Sequence, residues 1–194
     1  MVKIIFLVFT VVIAAVLLAA CTEIGYYAQC ARGHLEVIRR GQPIDQLLAD
    51  PGLANPRRTQ LETILAARSF ASTALSLPDN GSYRRFADLE RPYVVWNVVA
   101  APALSLEPKQ WCFPVAGCVS YRGYFDEAAA RREADRLAGQ GYETDVYGVQ
   151  AYSTLNWFDD PVLNTFLDGP SLQAVALVFH ELAHQVVYVP DDSR

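Results

Sequence analysis

The chain has 194 residues, 52% of them apolar, and a formal net charge of −5 from 16 Lys+Arg and 21 Asp+Glu. Charged residues at 19% with aromatics at 11% exclude a disordered chain, and four Cys are too few for a disulfide scaffold. An acidic balance without a basic block excludes nucleic acid as the main partner.

Residues 1–20 read as a leader. Lys3 is a short positive region, Ile4 to Ala20 carries no charge, and Ala19-Ala20 gives a small-residue exit before Cys21. Leu18-Ala19-Ala20-Cys21 also resembles the bacterial lipobox, whose Cys is lipidated and becomes the mature N-terminus. The alternative is an uncleaved anchor helix at the short end of the spanning range. Either way residues 21–194 are exported as one domain into a place where disulfides persist. Thr22 stands where Asp would favour inner-membrane retention, so the expected location is the outer membrane, facing the periplasm.

Apolar residues at helical spacing predict a helix over roughly 23–40, ended by Gly41. Pro43 opens a short helix that stops before Pro51. Asn55-Pro56 reads as an N-cap and first helical position, and Leu61, Ile64, Leu65, Ala71 and Leu75 form the stripe of the helix that follows. Pro78-Asp79-Asn80-Gly81 is a turn. Tyr93–Ala100 is β-branched and aromatic and predicts a strand; a second is expected within Val115–Phe125 and a third over Asp145–Ser153. Between them Asp126 caps a helix through Leu137, with Gly139 and Gly141 as stop signals. Pro161–Leu167 is a short helix or turn, and Ser171 to about Val189 is the last helix. Helices, then strands mixed with helices, then a helix predict an α+β fold.

The last helix contains His180-Glu181-Leu182-Ala183-His184. At i and i+4 both imidazoles project from one helical face and can hold one Zn²⁺. Glu181 lies slightly around the helix, suited to act as general base on a water and then as proton donor to the leaving amine. Two of the three His fall in this motif. The helix around it is nearly all apolar and is expected to be buried on most faces, where ionisable groups need a partner. A His pair held by hydrogen bonds, with Glu181 in a salt bridge, is the simpler alternative. Cys112 and Cys118 bracket a turn-like Phe-Pro-Val-Ala-Gly and form either a disulfide or two small buried hydrophobes. Without a Cys-x-x-Cys, thiolate-held zinc has no support.

Several segments besides the pentapeptide carry a resemblance. They include Leu77-Pro78-Asp79-Asn80, Arg91–Ala100, Trp111–Cys118, Tyr121–Phe125, Ala151–Leu155, Trp157–Phe166 and His180–Gln185. Together these resemble the putative aminopeptidase family of bacterial lipoproteins, a branch of the zincins. The resemblance implies a zincin-like fold of N-terminal helices, a small mixed sheet and then the motif helix. It implies a zinc peptidase acting on peptide or protein substrates, tethered to a membrane by its N-terminal lipid. Catalytic zinc needs three protein ligands and an open position. Here Pro190 stands where a metzincin would have His. In the family a Glu shortly beyond the matching Asp-Asp resembles the third ligand, so this chain is expected to be an incomplete product that binds zinc weakly.

Asp191, Asp192 and His34 are the substitutes within the chain; the first two read as solvated turn residues and His34 as a surface residue of the first helix. Tyr152 and Tyr188 are candidates for stabilising an oxyanion, though packing explains each as well. Asp145–Ser153 is the candidate strand for substrate backbone addition. Asp159-Asp160-Pro161 is either a second carboxylate site or a turn. The rival to the peptidase is an inactive zinc-binding or interaction lipoprotein lacking the third ligand; a structural lipoprotein without metal is the third reading.

Overall fold

The computed structural model describes residues 23–113, 117–154 and 156–187. The leader with Cys21, and Tyr188, Pro190, Asp191 and Asp192, lie outside the described residues. Within them the fold is α+β, with six helices and small sheets. No helix among the described residues is long and apolar enough to cross a membrane.

Helix α1 covers 23–40. Strand β1 (Gln42–Pro43) leads into α2 (Ile44–Ala49). Helix α3 runs Asn55–Thr73, one position earlier than expected: Ala54 is the N-cap, and Asn55 is already helical without a side-chain cap. Its buried stripe is Leu61, Ile64, Ala67, Arg68 and Ala71. Strand β2 (Arg85–Ala87) follows, then β3 (Val95–Pro102), two residues later than predicted. The expected strand within Val115–Phe125 resolves into the second arm of a hairpin, β4 (Trp111–Phe113) with β5 (Gly117–Val119), and a separate β6 (Arg122–Tyr124). Asp126 caps α4 (Glu127–Ala138) as expected, its carboxylate accepting from the Ala129 N–H at 2.7 Å. Strand β7 (Tyr142–Val149) stops short of Tyr152 and Ser153. The Pro161–Leu167 stretch divides into β8 (Val162–Leu163) and α5 (Asn164–Leu167). Helix α6 is Ser171–His184 and ends five residues before Val189.

The single mixed sheet becomes three smaller ones. In the first, β2 pairs antiparallel with β1 and parallel with β8. In the second, β3 lies between β6 and β7, antiparallel to both. The third is the β4–β5 hairpin, where Cys112 faces Cys118 and the two are joined by a disulfide. Trp96, Val98 and Ala100 alternate along β3 and bury against Ala130, Ala134 and Leu137 of α4. A larger core joins Val37 of α1, Leu61 and Ile64 of α3, Phe86 of β2, Val162 of β8, and Val178 and Leu182 of α6. Helix α1 lies close enough to Phe125 that a Cβ on Gly33 would collide with its ring, so only glycine allows this approach.

Candidate active site

The motif occupies the last turn of α6. Ala174, Val178 and Leu182 bury one stripe against α3, fixing the helix's rotation. The opposite face is open, with Leu172 79% exposed. Burial on most faces is therefore not observed: His180 is exposed, and Glu181 and His184 are half-buried. Burial does not force a partner on the imidazoles.

The two rings are hydrogen-bonded to each other, which is the arrangement of the simpler alternative. His180 Nε2 and His184 Nε2 lie 2.9 Å apart. Two nitrogens bound tetrahedrally to one zinc at about 2.0–2.1 Å would stand about 3.3 Å apart. A few tenths of an ångström of ring movement separates the two arrangements. Both rings also sit at the helix C-terminus, the negative end of the macrodipole, which favours a cation. Among the described residues no group of three or more His, Cys, Asp or Glu side chains is placed to hold an ion. Asp191 and Asp192, two of the three proposed substitutes, lie outside the described residues.

His34 is not a surface residue. It is half-buried, with Nδ1 2.7 Å from the Tyr152 hydroxyl and its ring 4.6 Å from that of Phe158. Burial pushes its pKa down and keeps it neutral. It belongs to a separate aromatic cavity, which also accounts for Tyr152. The strand expected over Asp145–Ser153 is β7, Tyr142–Val149, which ends the order of its sheet.

Two further groups couple electrostatically to Glu181: Asp160, from the candidate second carboxylate site, and Tyr83, which sequence reasoning missed. Asp160 is 3% exposed; its Oδ2 accepts from the Thr154 N–H at 2.9 Å and the Ser153 hydroxyl at 3.5 Å. Burial, helped by the negative charge of Glu181, raises its pKa to about 6. Asp160 is thus a carboxyl group of the site, while Asp159 packs on the Gly81 backbone so closely that a Cβ there would collide with it. Tyr83 is 3% exposed, and its hydroxyl has no hydrogen-bond partner among the described residues. Burial, then the charges of Asp160 and Glu181, raise its pKa and hold it protonated. Its backbone sits at φ 62°, a strained left-handed conformation for a non-glycine residue. The Tyr83 N–H donates to the Asp160 carbonyl at 2.7 Å, tying the two together.

The loop carrying Tyr83 is stitched to the end of α6. Asn80 Nδ2 donates to Gln185 Oε1 at 2.7 Å and to Asn156 Oδ1 at 2.8 Å, and Gln185 Nε2 donates to Ser82 Oγ at 3.3 Å. Beneath it the fully buried Arg68 donates to the carbonyls of Ser82 (3.0 Å), Pro78 (2.7 Å) and Asn80 (3.1 Å). A basic residue in the apolar stripe of α3 was the sequence signal for this anchor.

Searches of curated proteins and of solved structures each return no match. The protein-family model described as "Putative aminopeptidase" matches residues 25–194, from α1 through the motif helix, and the chain belongs to that family.

Proposed function

We propose that this chain is a zincin-like, zinc-dependent peptidase of aminopeptidase type, displayed on the envelope as a lipoprotein. The observation that carries the reading is the His180–His184 pair, 2.9 Å apart on the last turn of α6 with Glu181 between them. Family membership supplies the peptidase class. His180 and His184 would be two of the three protein ligands that such an ion needs, the third lying outside this pair, and the ion would supply Lewis acidity to the scissile carbonyl and to a water. Glu181 takes the proton of the attacking water and returns it to the leaving amine. Tyr83, protonated and uncommitted, is a donor within electrostatic reach of Glu181. Asp160 keeps negative charge next to Glu181 in check by taking up a proton below about pH 6.

The test separates the roles. His180→Ala and His184→Ala should each abolish zinc binding. Glu181→Gln should keep zinc and lose hydrolysis, because the carboxylate serves the water rather than the ion. Loss of zinc from Glu181→Gln as complete as from the His variants would overturn the assignment. Zinc retention by the wild-type chain without turnover of any peptide would favour the inactive zinc-binding lipoprotein.

The anchor rests on Leu18-Ala19-Ala20-Cys21. Cys21→Ser should leave an unprocessed precursor without fatty-acid label; normal labelling of that variant would remove the lipoprotein from the proposal.

A further inference from the structure

A cavity of about 680 Å³ lies between α1, the β6-β3-β7 sheet, the β4–β5 hairpin, residues 151–154 and Phe158. That volume is typical of sites that enclose a small molecule or part of a peptide. Seven of its seventeen lining residues are aromatic, among them Tyr26, Phe113, Phe125, Tyr152 and Phe158. None is Asp, Glu, Lys or Arg, and His34 in its wall is kept neutral by burial. Such a lining rejects a charged group, which would lose its hydration without gaining a counter-ion. It attracts rings, which meet aromatic walls edge to face. The walls already do so with each other: Phe125 and Tyr152 lie at 5.5 Å with their planes 89° apart.

The cavity shares a wall with the candidate active site. Tyr152, Ser153 and Thr154 line it, and Ser153 and Thr154 are also the residues that hold the Asp160 carboxylate. Tyr83 interacts electrostatically with Tyr152 of this wall as well as with Asp160 and Glu181. The strand that ends at Val149 runs directly into this wall, so a substrate laid along β7 would deliver side chains to it.

We infer that this cavity is the specificity pocket of the peptidase, taking a large uncharged, preferably aromatic, side chain of the peptide next to the bond that is cut. The inference rests on the peptidase reading above, but its first measurement does not need activity. A lipid acyl chain is the other apolar occupant. Polar groups spaced among the rings, Asn97, Ser153, Thr154 and the His34–Tyr152 pair, suit a peptide better than a hydrocarbon.

The experiment has a binding arm and a turnover arm. Zinc-free full chain is titrated calorimetrically with N-acetylphenylalanine amide, N-acetylalanine amide and dodecanoate. The phenylalanine amide should bind about tenfold or more tighter than the alanine amide, from the added apolar area it buries. Val119→Trp on the hairpin and Ala151→Phe on the opposite wall should each erase that difference, so a fold defect in one variant leaves the other decisive. Equal binding of the two amides, or tighter binding of dodecanoate than of the phenylalanine amide, would overturn the pocket assignment. In the turnover arm, zinc-loaded full chain should cleave phenylalanine substrates with a kcat/KM about tenfold above alanine substrates, and both variants should reverse that ratio. Turnover without preference would overturn the pocket and keep the peptidase. Selective binding without turnover would keep the aromatic-side-chain pocket and overturn the peptidase.

Discussion

Replacing Arg68 by Met should destabilise the protein by about 3–4 kcal/mol. Methionine fills much of the aliphatic space but donates nothing. The Ser82 carbonyl, held only by Arg68 Nε at 3.0 Å among the described residues, would become an unpaired buried acceptor, a cost of about 1–3 kcal/mol. The Pro78 and Asn80 carbonyls lose charge-assisted bonds of 2.7 and 3.1 Å but keep the Ser72 hydroxyl at 3.4 Å and Arg84 Nε at 3.1 Å. Those losses add about 1 kcal/mol each, and freeing the protein from a buried guanidinium gives part of the total back. Urea unfolding is the assay. With a slope of about 2 kcal/mol per molar, the midpoint should fall by about 2 M at unchanged slope. Arg68→Lys, which keeps the charge but not the planar fork, should lie between. A midpoint shift of Arg68→Met below about 0.5 M would refute the claim that this side chain holds the 78–83 loop.

Asp160 makes stability depend on pH in a defined direction. Its folded pKa of about 6 lies above the ordinary 3.8, so the metal-free folded state holds the proton more tightly and stability falls as pH rises from about 4 to 6. The contribution is about 3 kcal/mol, fully lost above pH 6, and Asp160→Asn should flatten that part of the profile; an unchanged pH slope in urea melts would count against it. Tyr83→Phe removes an unpartnered buried hydroxyl and should raise stability by about 1 kcal/mol while lowering kcat, a split that a purely structural tyrosine would not give. Cys112→Ser should cost about 2 kcal/mol, the entropy of the short loop that the disulfide closes, and dithiothreitol should reproduce the loss in the wild type but not in the variant. A midpoint insensitive to dithiothreitol would show that the bond does not form.

Elements with strong local periodicity were legible in the sequence. Leu61, Ile64 and Ala71 of the α3 stripe, the Asp126 cap and the i, i+4 pair on α6 depend on neighbours a few residues away, and the structure keeps them, whereas Leu75 lies beyond the end of α3 and is exposed. The motif helix ends earlier than its hydropathy suggests because Val186 and Val187 are exposed rather than packed. Strands β1, β2 and β8 have two or three residues each, too few for a pattern, and exist only because distant segments meet. Tyr83 escaped for the same reason, because its burial depends on the fold, and Asp159-Asp160-Pro161 left a carboxylate site and a turn both open because only the fold buries Asp160. His34 was misplaced because helix periodicity cannot reveal what covers a face. For His34 the deciding contact joins residues far apart in the chain: 118 positions separate it from Tyr152.

The parallel pairing of β2 with β8 bears on how the molecule comes into being. Phe86 meets Val162, and the same core binds Val37 near one end to Leu182 near the other. During synthesis α3 is made early, yet its apolar stripe finds its partner only when α6 emerges. Closing loops of that length before any contact rewards them makes folding slow. The nascent chain would therefore stay an open thread until its last helix is made. Shuffling the order of these segments, so that α6 directly follows α3, should leave the core intact and make the chain fold faster in refolding kinetics.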